Sequence, residues 1–122
     1  MDRKAFESLV QDAIHDLPQL FKDRLNNVAI IVEDYPSQEL LDRMGVPENQ
    51  TLFGFYEGVP LTERGHFGAP LYPDRILIFQ GPIEEACESP EDIKEEVRIT
   101  VVHEIAHFFG IDDDALEEMG YD

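Results

Sequence analysis

The sequence predicts an α+β fold in which a small mixed sheet packs against an N-terminal helix and a C-terminal helix. Apolar spacing typical of helices or of short strands marks five segments: helices at residues 3–17 and 89–110, and strands at residues 26–36, 50–58 and 74–82. Because the three strands are short and lie between the two helices, they indicate one small sheet with helices against it.

The size of the chain predicts one domain over residues 1–122. A chain of 122 residues with 43% hydrophobic residues can bury one core but hardly two. The opening residues lack the uninterrupted apolar core of a signal peptide, and no window approaches the about 18 apolar residues of a membrane span. We therefore expect a cytoplasmic protein that does not enter a membrane.

The composition is strongly acidic. Nine Lys+Arg against 27 Asp+Glu give a formal net charge of −18, so a negative potential covers most of the surface. Nucleic acid and anionic membranes are therefore poor partners, whereas a basic peptide or another cationic partner is the alternative to a purely solubilising role. Cys87 is the single cysteine; it excludes an intramolecular disulfide and a thiolate metal cluster, and a small buried or half-buried residue is expected there.

Capping residues and turn residues bound the first elements. The N-terminal helix has an apolar stripe and ends at Pro18. The run NNVAIIVEDYP predicts a strand that is largely buried, and Ser37 and Gly45 are the expected N-cap and C-terminal stop of a short helix. The stripe consists of Phe6, Leu9, Val10, Ala13, Ile14 and Leu17.

The middle of the chain predicts two strands joined by a long loop. QTLFGFYEG alternates as a strand, and DRILIFQGP is a continuous apolar run that predicts a strand buried on both faces. The intervening segment, residues 58–73, is rich in glycine and proline, and we expect a loop that lines a cleft. His66 in this loop can approach a metal or a substrate, although an exposed loop histidine is the commoner case.

Residues 89–110 predict the longest helix. Ser89 is a fitting N-cap, Pro90 occupies the first helical position, Asp92 completes an S-x-x-D capping pattern, and Gly110 ends the helix. From Val97 onward the segment is apolar almost all round, so its C-terminal half is expected to run through the middle of the protein.

The buried half of this helix carries an H-E-x-x-H motif. His103 and His107 are one turn apart, and Glu104, Thr100 and Glu96 share their face at about 100° per residue. Two imidazoles at this spacing can bind one Zn²⁺ and leave Glu104 beside a metal-bound water as a general base. Hydrogen-bonded core histidines are the alternative, but each unpartnered polar group in an apolar setting costs about 1–3 kcal/mol, and a metal removes that cost.

Three aspartates after Gly110 are candidates for the third ligand. A residue without Cβ suits the left-handed turn that brings the chain back toward the ion. Asp112, Asp113 and Asp114 all follow that turn, and the spacing H-E-x-x-H-x-x-G-x-x-D selects Asp113. Asp112 and Asp114 are alternatively residues that orient an imidazole by hydrogen bonding to its N–H. One of the three aspartates can also be the N-cap of a short helix.

These residues resemble a known group. H-E-x-x-H followed by G-x-x-D is similar to the zincin metallopeptidases that have aspartate as the third ligand, and the order of elements resembles the minimal bacterial zincin-like metallopeptidase family. The resemblance implies a minimal zincin-like fold, zinc at His103, His107 and Asp113, and a catalytic role for Glu104. The sequence differs from the metzincins in one respect. Metzincins have a methionine-containing turn well downstream of the third ligand, whereas only nine residues follow Asp113 here.

The expected function is a zinc metallopeptidase that hydrolyses peptide bonds through a zinc-bound water activated by Glu104. The strand TLFGFYEG is the expected edge for pairing with an extended peptide, and Tyr56, Tyr72, Arg64 and His66 are candidates for a second electrophilic donor. The alternative is a zinc-stabilised binding module with little or no turnover, motivated by the short downstream segment and the acidic surface. Hydrolysis of a small amide or ester is a third possibility.

Overall fold

The computed structural model describes residues 1–58, 74–111 and 113–118, without the side chains of residues 113, 116 and 117. The α+β class predicted from the sequence is confirmed. The elements in chain order are α1 (Arg3–His15), α2 (Gln19–Lys22), β1 (Val28–Glu33), α3 (Gln38–Arg43), β2 (Gly54–Glu57), β3 (Asp74–Phe79), α4 (Gln80–Ala86), α5 (Pro90–Phe108) and α6 (Asp113–Glu118).

The sheet is mixed, as the sequence predicted. Its strand order is β1-β3-β2. β1 runs parallel to β3, with Val28 opposite Asp74, and β2 runs antiparallel to β3, with Gly54 opposite Ile78. Among the described strands β3 is therefore central, and β2 lies at an edge, as predicted for the TLFGFYEG segment.

The core lies between the sheet and the helices α1 and α5. Ile76 and Ile78 of β3 are fully buried, and Val97 and Val101 of α5 are buried with them. Hydrophobic burial of this kind is the main favourable term in folding. The members of the core cluster are Phe6, Val10, Ala13, Leu17, Val32, Ile76, Ile78, Ile83, Val97, Val101, Val102, Ile105 and Ala106.

Two expectations about strand burial were wrong. β1 is not largely buried, since only Val32 is buried and the four residues before it are half-buried. Its position at the edge of the described sheet explains this. β3 is not buried on both faces, because Arg75 is exposed and Leu77 half-buried; the cavity beside Leu77 is lined by Leu40 and Arg43 of the short helix α3, which covers that face only in part.

The chain also forms two short helices that no sequence pattern indicated, α2 and α4. α4 begins at Gln80, inside the segment predicted to continue the third strand. Gln80 accepts a hydrogen bond from Arg3 at 3.0 Å, and Arg3 also donates to the carbonyl of Val32 at 2.8 Å and pairs with Asp34. These long-range contacts join α1, the end of β1 and α4 at the point where the third strand ends.

The predicted caps of α3 and α5 are confirmed, whereas α1 ends at His15, before the predicted stop at Pro18. The hydroxyl of Ser37 accepts from the backbone N–H of Leu40 at 3.0 Å, and Ser89 accepts from that of Asp92 at 3.2 Å. Gly45 and Gly110 have φ values of 69° and 75°, in the left-handed region that favours glycine. In the described part of the chain, no helix has both the length and the apolar character needed to cross a bilayer.

Candidate metal centre

Helix α5 presents one face to the core and another to a cleft. Val97, Val101, Ile105 and Phe108 are buried, as predicted from the helical wheel. The two histidines, His103 and His107, are half-buried, while Glu104 between them is only 6% exposed. The helix therefore holds a carboxylate inside the protein and two imidazoles at its boundary with solvent.

The structure brings His103, Glu104 and His107 together. Each offers one ligand atom, and these atoms all lie within 4.8 Å of one another. The two imidazole rings have centroids 4.5 Å apart and meet at 70°. Nδ1 of His107 lies 3.6 Å from Oε2 of Glu104. Within the described residues, this is the group of histidine and acidic side chains that can hold a metal ion.

The environment of Glu104 fits a cation beside it. Oε2 of Glu104 is buried and has no hydrogen-bond partner among the described residues. A buried carboxylate oxygen without a partner costs at least about 1–3 kcal/mol, which a nearby positive ion offsets. Two imidazole nitrogens with carboxylate oxygen are also a donor set that suits zinc. The residues present therefore fit the metal that the motif predicts.

A cleft of about 350 Å³ opens beside this group. Its walls come from the segment entering β2, from Gly54 of β2 and from the face of α5 that carries His103. The lining residues are Thr51, Leu52, Phe53, Gly54, Glu96, Ile99, Thr100, His103 and Glu104. A substrate in the cleft would therefore lie between the edge strand and the helix that carries the histidines.

Close approach at Gly54 shapes this cleft. A Cβ at this position would lie 2.8 Å from Cγ2 of Thr100 and 3.0 Å from Cγ of Glu104. The strand thus contacts the helix where the predicted general base is located. This role of Gly54 was not predicted from the sequence, although a glycine inside a strand pattern can signal close backbone approach.

Of the three candidate third ligands, the described side chains include one. Asp114 is exposed and does not belong to the group that can hold a metal. Asp113 begins α6, but its side chain lies outside the described part, as does Asp112 altogether. Ligation by Asp113 therefore stays a prediction, as do the ligand roles of His103 and His107 and the catalytic role of Glu104.

The other residues singled out in the sequence are not in the cleft or are not described. Arg64, His66 and Tyr72, with most of the predicted cleft-lining loop, lie outside the described residues. Tyr56 does not line the cleft; its hydroxyl is buried and its ring packs on Phe108, with centroids 6.0 Å apart. Tyr56 is therefore a poor choice for the second electrophilic donor.

Cys87 is half-buried, as expected. Desolvation raises the pKa of its thiol, and the negative charges of Glu96 and Asp92 raise it further. Because the thiolate is the nucleophilic form, this environment makes Cys87 a weak nucleophile.

A largely buried helix that carries an H-E-x-x-H motif and packs on a small mixed sheet is characteristic of the zincin class. The chain belongs to the zincin-like metallopeptidase family, whose family model matches residues 25–121. The family resemblance inferred from the motif is thereby confirmed, and with it the zincin-like character of the fold.

A solved structure supports the fold independently. The chain is similar to a conserved hypothetical protein from Thermo thermophilus, with a TM-score of 0.60 and 24% sequence identity. The similarity covers 99% of this chain and 100% of the other. No curated protein matches the chain. At 24% identity, this similarity is evidence for a shared fold alone.

Proposed function

We propose that the chain is a zinc-dependent metallopeptidase in which His103, His107 and Asp113 hold the ion and Glu104 is the general base. The observation that supports this proposal most strongly is that ligand atoms of His103, Glu104 and His107 lie within 4.8 Å of one another. They are located beside a cleft of about 350 Å³. The family match over residues 25–121 supports it.

Glu104 has the properties that a general base at this site requires. When bound, zinc acts as a Lewis acid for a carbonyl and lowers the pKa of a water ligand. Oε2 of Glu104, which has no hydrogen-bond partner among the described residues, is available to accept a proton from an attacking water. The same carboxyl group then donates that proton to the leaving amine.

The backbone after α5 supports Asp113 as the third ligand. Gly110 has a φ of 75°, and α6 begins three residues later and contacts α5. This contact keeps α6 beside the helix that bears His107, as ligation by Asp113 requires. Three protein ligands would leave one position of a tetrahedral ion for water or substrate.

The deciding experiment compares Glu104→Gln with His103→Ala. We expect Glu104→Gln to retain one zinc per chain by elemental analysis and to lose at least about 100-fold in kcat/KM toward a fluorogenic peptide library. His103→Ala should lose both zinc and hydrolysis. Glu91→Gln, an equal change of charge on an exposed residue of α5 outside the cleft, is the control and should keep both.

The outcome also separates a peptidase from a binding module. Cleavage that a chelator abolishes and zinc restores supports the peptidase. Stoichiometric zinc without chelator-sensitive cleavage of any peptide would favour the zinc-stabilised binding module instead. Full hydrolysis by Glu104→Gln would remove the assignment of the base.

A second pair of variants tests the third ligand. Asp113→Ala should weaken zinc binding, whereas Asp114→Ala should not, because the side chain of Asp114 is exposed and outside the group that can hold a metal. Competition with a chromogenic chelator measures the affinity of each protein. The opposite order of affinities would transfer the ligand role to Asp114.

A further inference from the structure

We propose that Glu96 is a specificity-determining residue, and that its carboxylate selects a lysine or arginine side chain close to the scissile bond of a peptide substrate. This inference rests on the proposed function, since it concerns which peptides enter the same cleft. It starts from the position of Glu96, which lines the cleft together with His103 and Glu104 but is not part of the group that can hold a metal.

The position of Glu96 follows from helix geometry. It precedes His103 by seven residues, or about two turns, so the two side chains share one face of α5 and are separated by about 10 Å along the axis. An extended peptide advances about 3.3 Å per residue. Glu96 is therefore level with a substrate residue about three positions from the reacting carbonyl, and a long basic side chain can reach it from a nearer position.

The surroundings of Glu96 suit a basic side chain. Leu52, Phe53 and Ile99 line the same cleft, and apolar walls of this kind pack against the methylene stem of lysine or arginine while the charged end reaches a carboxylate. Glu96 is half-buried, which strengthens an ion pair relative to one in open solvent.

The charge of Glu96 is not neutralised within the described part of the protein. None of the ion pairs there includes Glu96. Among the described residues, no cationic side chain therefore competes with a ligand for this carboxylate. A zinc ion at the histidines would repel a cationic side chain close by, and the separation of about 10 Å, comparable with the Debye length at 0.1 M salt, weakens that repulsion.

General attraction by the acidic surface is the effect that must be separated from selection by Glu96. A net charge of −18 attracts any cationic peptide, whichever carboxylate it meets. Glu96→Gln and Glu91→Gln remove one charge each from the same helix, and of the two residues only Glu96 lines the cleft together with His103. A difference between these two variants therefore reports on the cleft and not on net charge.

The test measures binding to the zinc-loaded Glu104→Gln protein, which lacks the proposed base. Fluorescein-labelled octapeptides carry a single arginine or a single glutamine at each position in turn, and anisotropy at 0.15 M salt gives Kd. At one or more positions we expect arginine to bind about fivefold more tightly than glutamine, as an accessible ion pair allows. Adding Glu96→Gln should reduce the ratio to within twofold, and adding Glu91→Gln should leave it unchanged.

Further outcomes make the inference falsifiable. Glu96→Lys should reverse the preference toward peptides that carry glutamate in place of arginine. Three results would overturn the inference. Arginine is preferred at no position, the preference survives Glu96→Gln, or Glu91→Gln removes the preference as completely as Glu96→Gln does. If the wild-type protein cleaves no peptide but the arginine preference depends on Glu96, the proposed peptidase activity is wrong and the role of Glu96 in binding is retained. If the protein cleaves peptides but the arginine preference does not depend on Glu96, only the role of Glu96 is wrong.

Discussion

At the scale of single residues, Gly54 controls how closely the sheet approaches the candidate base. Besides Thr100 and Glu104, a Cβ at Gly54 would lie 3.2 Å from the carbonyl oxygen of Leu77. Its φ is not among the positive values, which belong to Gly45, Gly58 and Gly110. The requirement for glycine is therefore one of space and not of backbone conformation.

We predict that Gly54→Ala destabilises the fold by about 1–3 kcal/mol, the usual range for overpacking. The added methyl group must displace Thr100, Glu104 or the strand itself, so zinc affinity should fall as well. Urea denaturation measures the first effect and chelator competition the second. A variant as stable as the wild type would show that β2 can move away from α5 at little cost.

The control is the double variant Gly54→Ala/Thr100→Ser. Serine lacks Cγ2, the atom that would be only 2.8 Å from the new Cβ. We expect the double variant to regain part of the stability that Gly54→Ala loses, relative to Thr100→Ser alone. Additive losses would locate the strain at Glu104 or at the backbone of Leu77.

At the scale of elements, α5 combines good local signals with burial by the rest of the fold. Ser89 caps its N-terminus and Pro90 occupies the first turn together with Glu91 and Asp92, where negative charge interacts favourably with the helix dipole. The other end is held by packing, with Val101, Ile105 and Phe108 buried. Capping thus stabilises one end of the helix, while the residues that could hold a metal ion lie near the other end.

This separation predicts that Ser89→Ala lowers the free energy of unfolding by about 1 kcal/mol without changing zinc stoichiometry. Ser89 and His103 are fourteen residues apart, which is about 21 Å along a helix. Ser89→Thr retains a hydroxyl that accepts the hydrogen bond and should behave nearly as the wild type. Loss of zinc in Ser89→Ala would indicate that fraying of the first turn extends to the histidines.

At the scale of the whole molecule, metal binding and folding should be coupled. The candidate ligands approach one another only when α5 and the chain after it are in place, so an ion binds the folded state more tightly than the unfolded chain. The strongly acidic surface opposes compaction by self-repulsion. Any cation can screen that repulsion. Stabilisation by an ion bound at the candidate site should in addition require the histidines.

We predict that zinc at 100 times its Kd stabilises the protein by about 2.7 kcal/mol. Thermal unfolding with and without a chelator measures the change in Tm. Magnesium at the same concentration screens the acidic surface but prefers oxygen ligands, so it should give a smaller shift. His103→Ala should abolish the difference between zinc and magnesium; an undiminished zinc effect in that variant would place the ion elsewhere.

Features that depend on residues close together in the chain were predictable from the sequence. The H-E-x-x-H spacing, the N-caps Ser37 and Ser89, and the left-handed glycines Gly45 and Gly110 are local, because one helical turn or one hydrogen bond joins the residues concerned. The same locality made the face shared by His103, Glu104 and His107 predictable. The family resemblance rested on this motif for the same reason.

Features that depend on contacts between distant segments were not predictable from the sequence and are seen only in the folded chain. Packing between residues far apart in the chain produces four such features. They are the edge position of β1, the helix α4 in place of a longer third strand, the close contact of Gly54 with α5, and the cleft that Glu96 shares with His103. Short-range periodicity carries no information on strand order or on which surfaces meet. Those features follow from how the whole chain buries its apolar surface, which no single segment specifies.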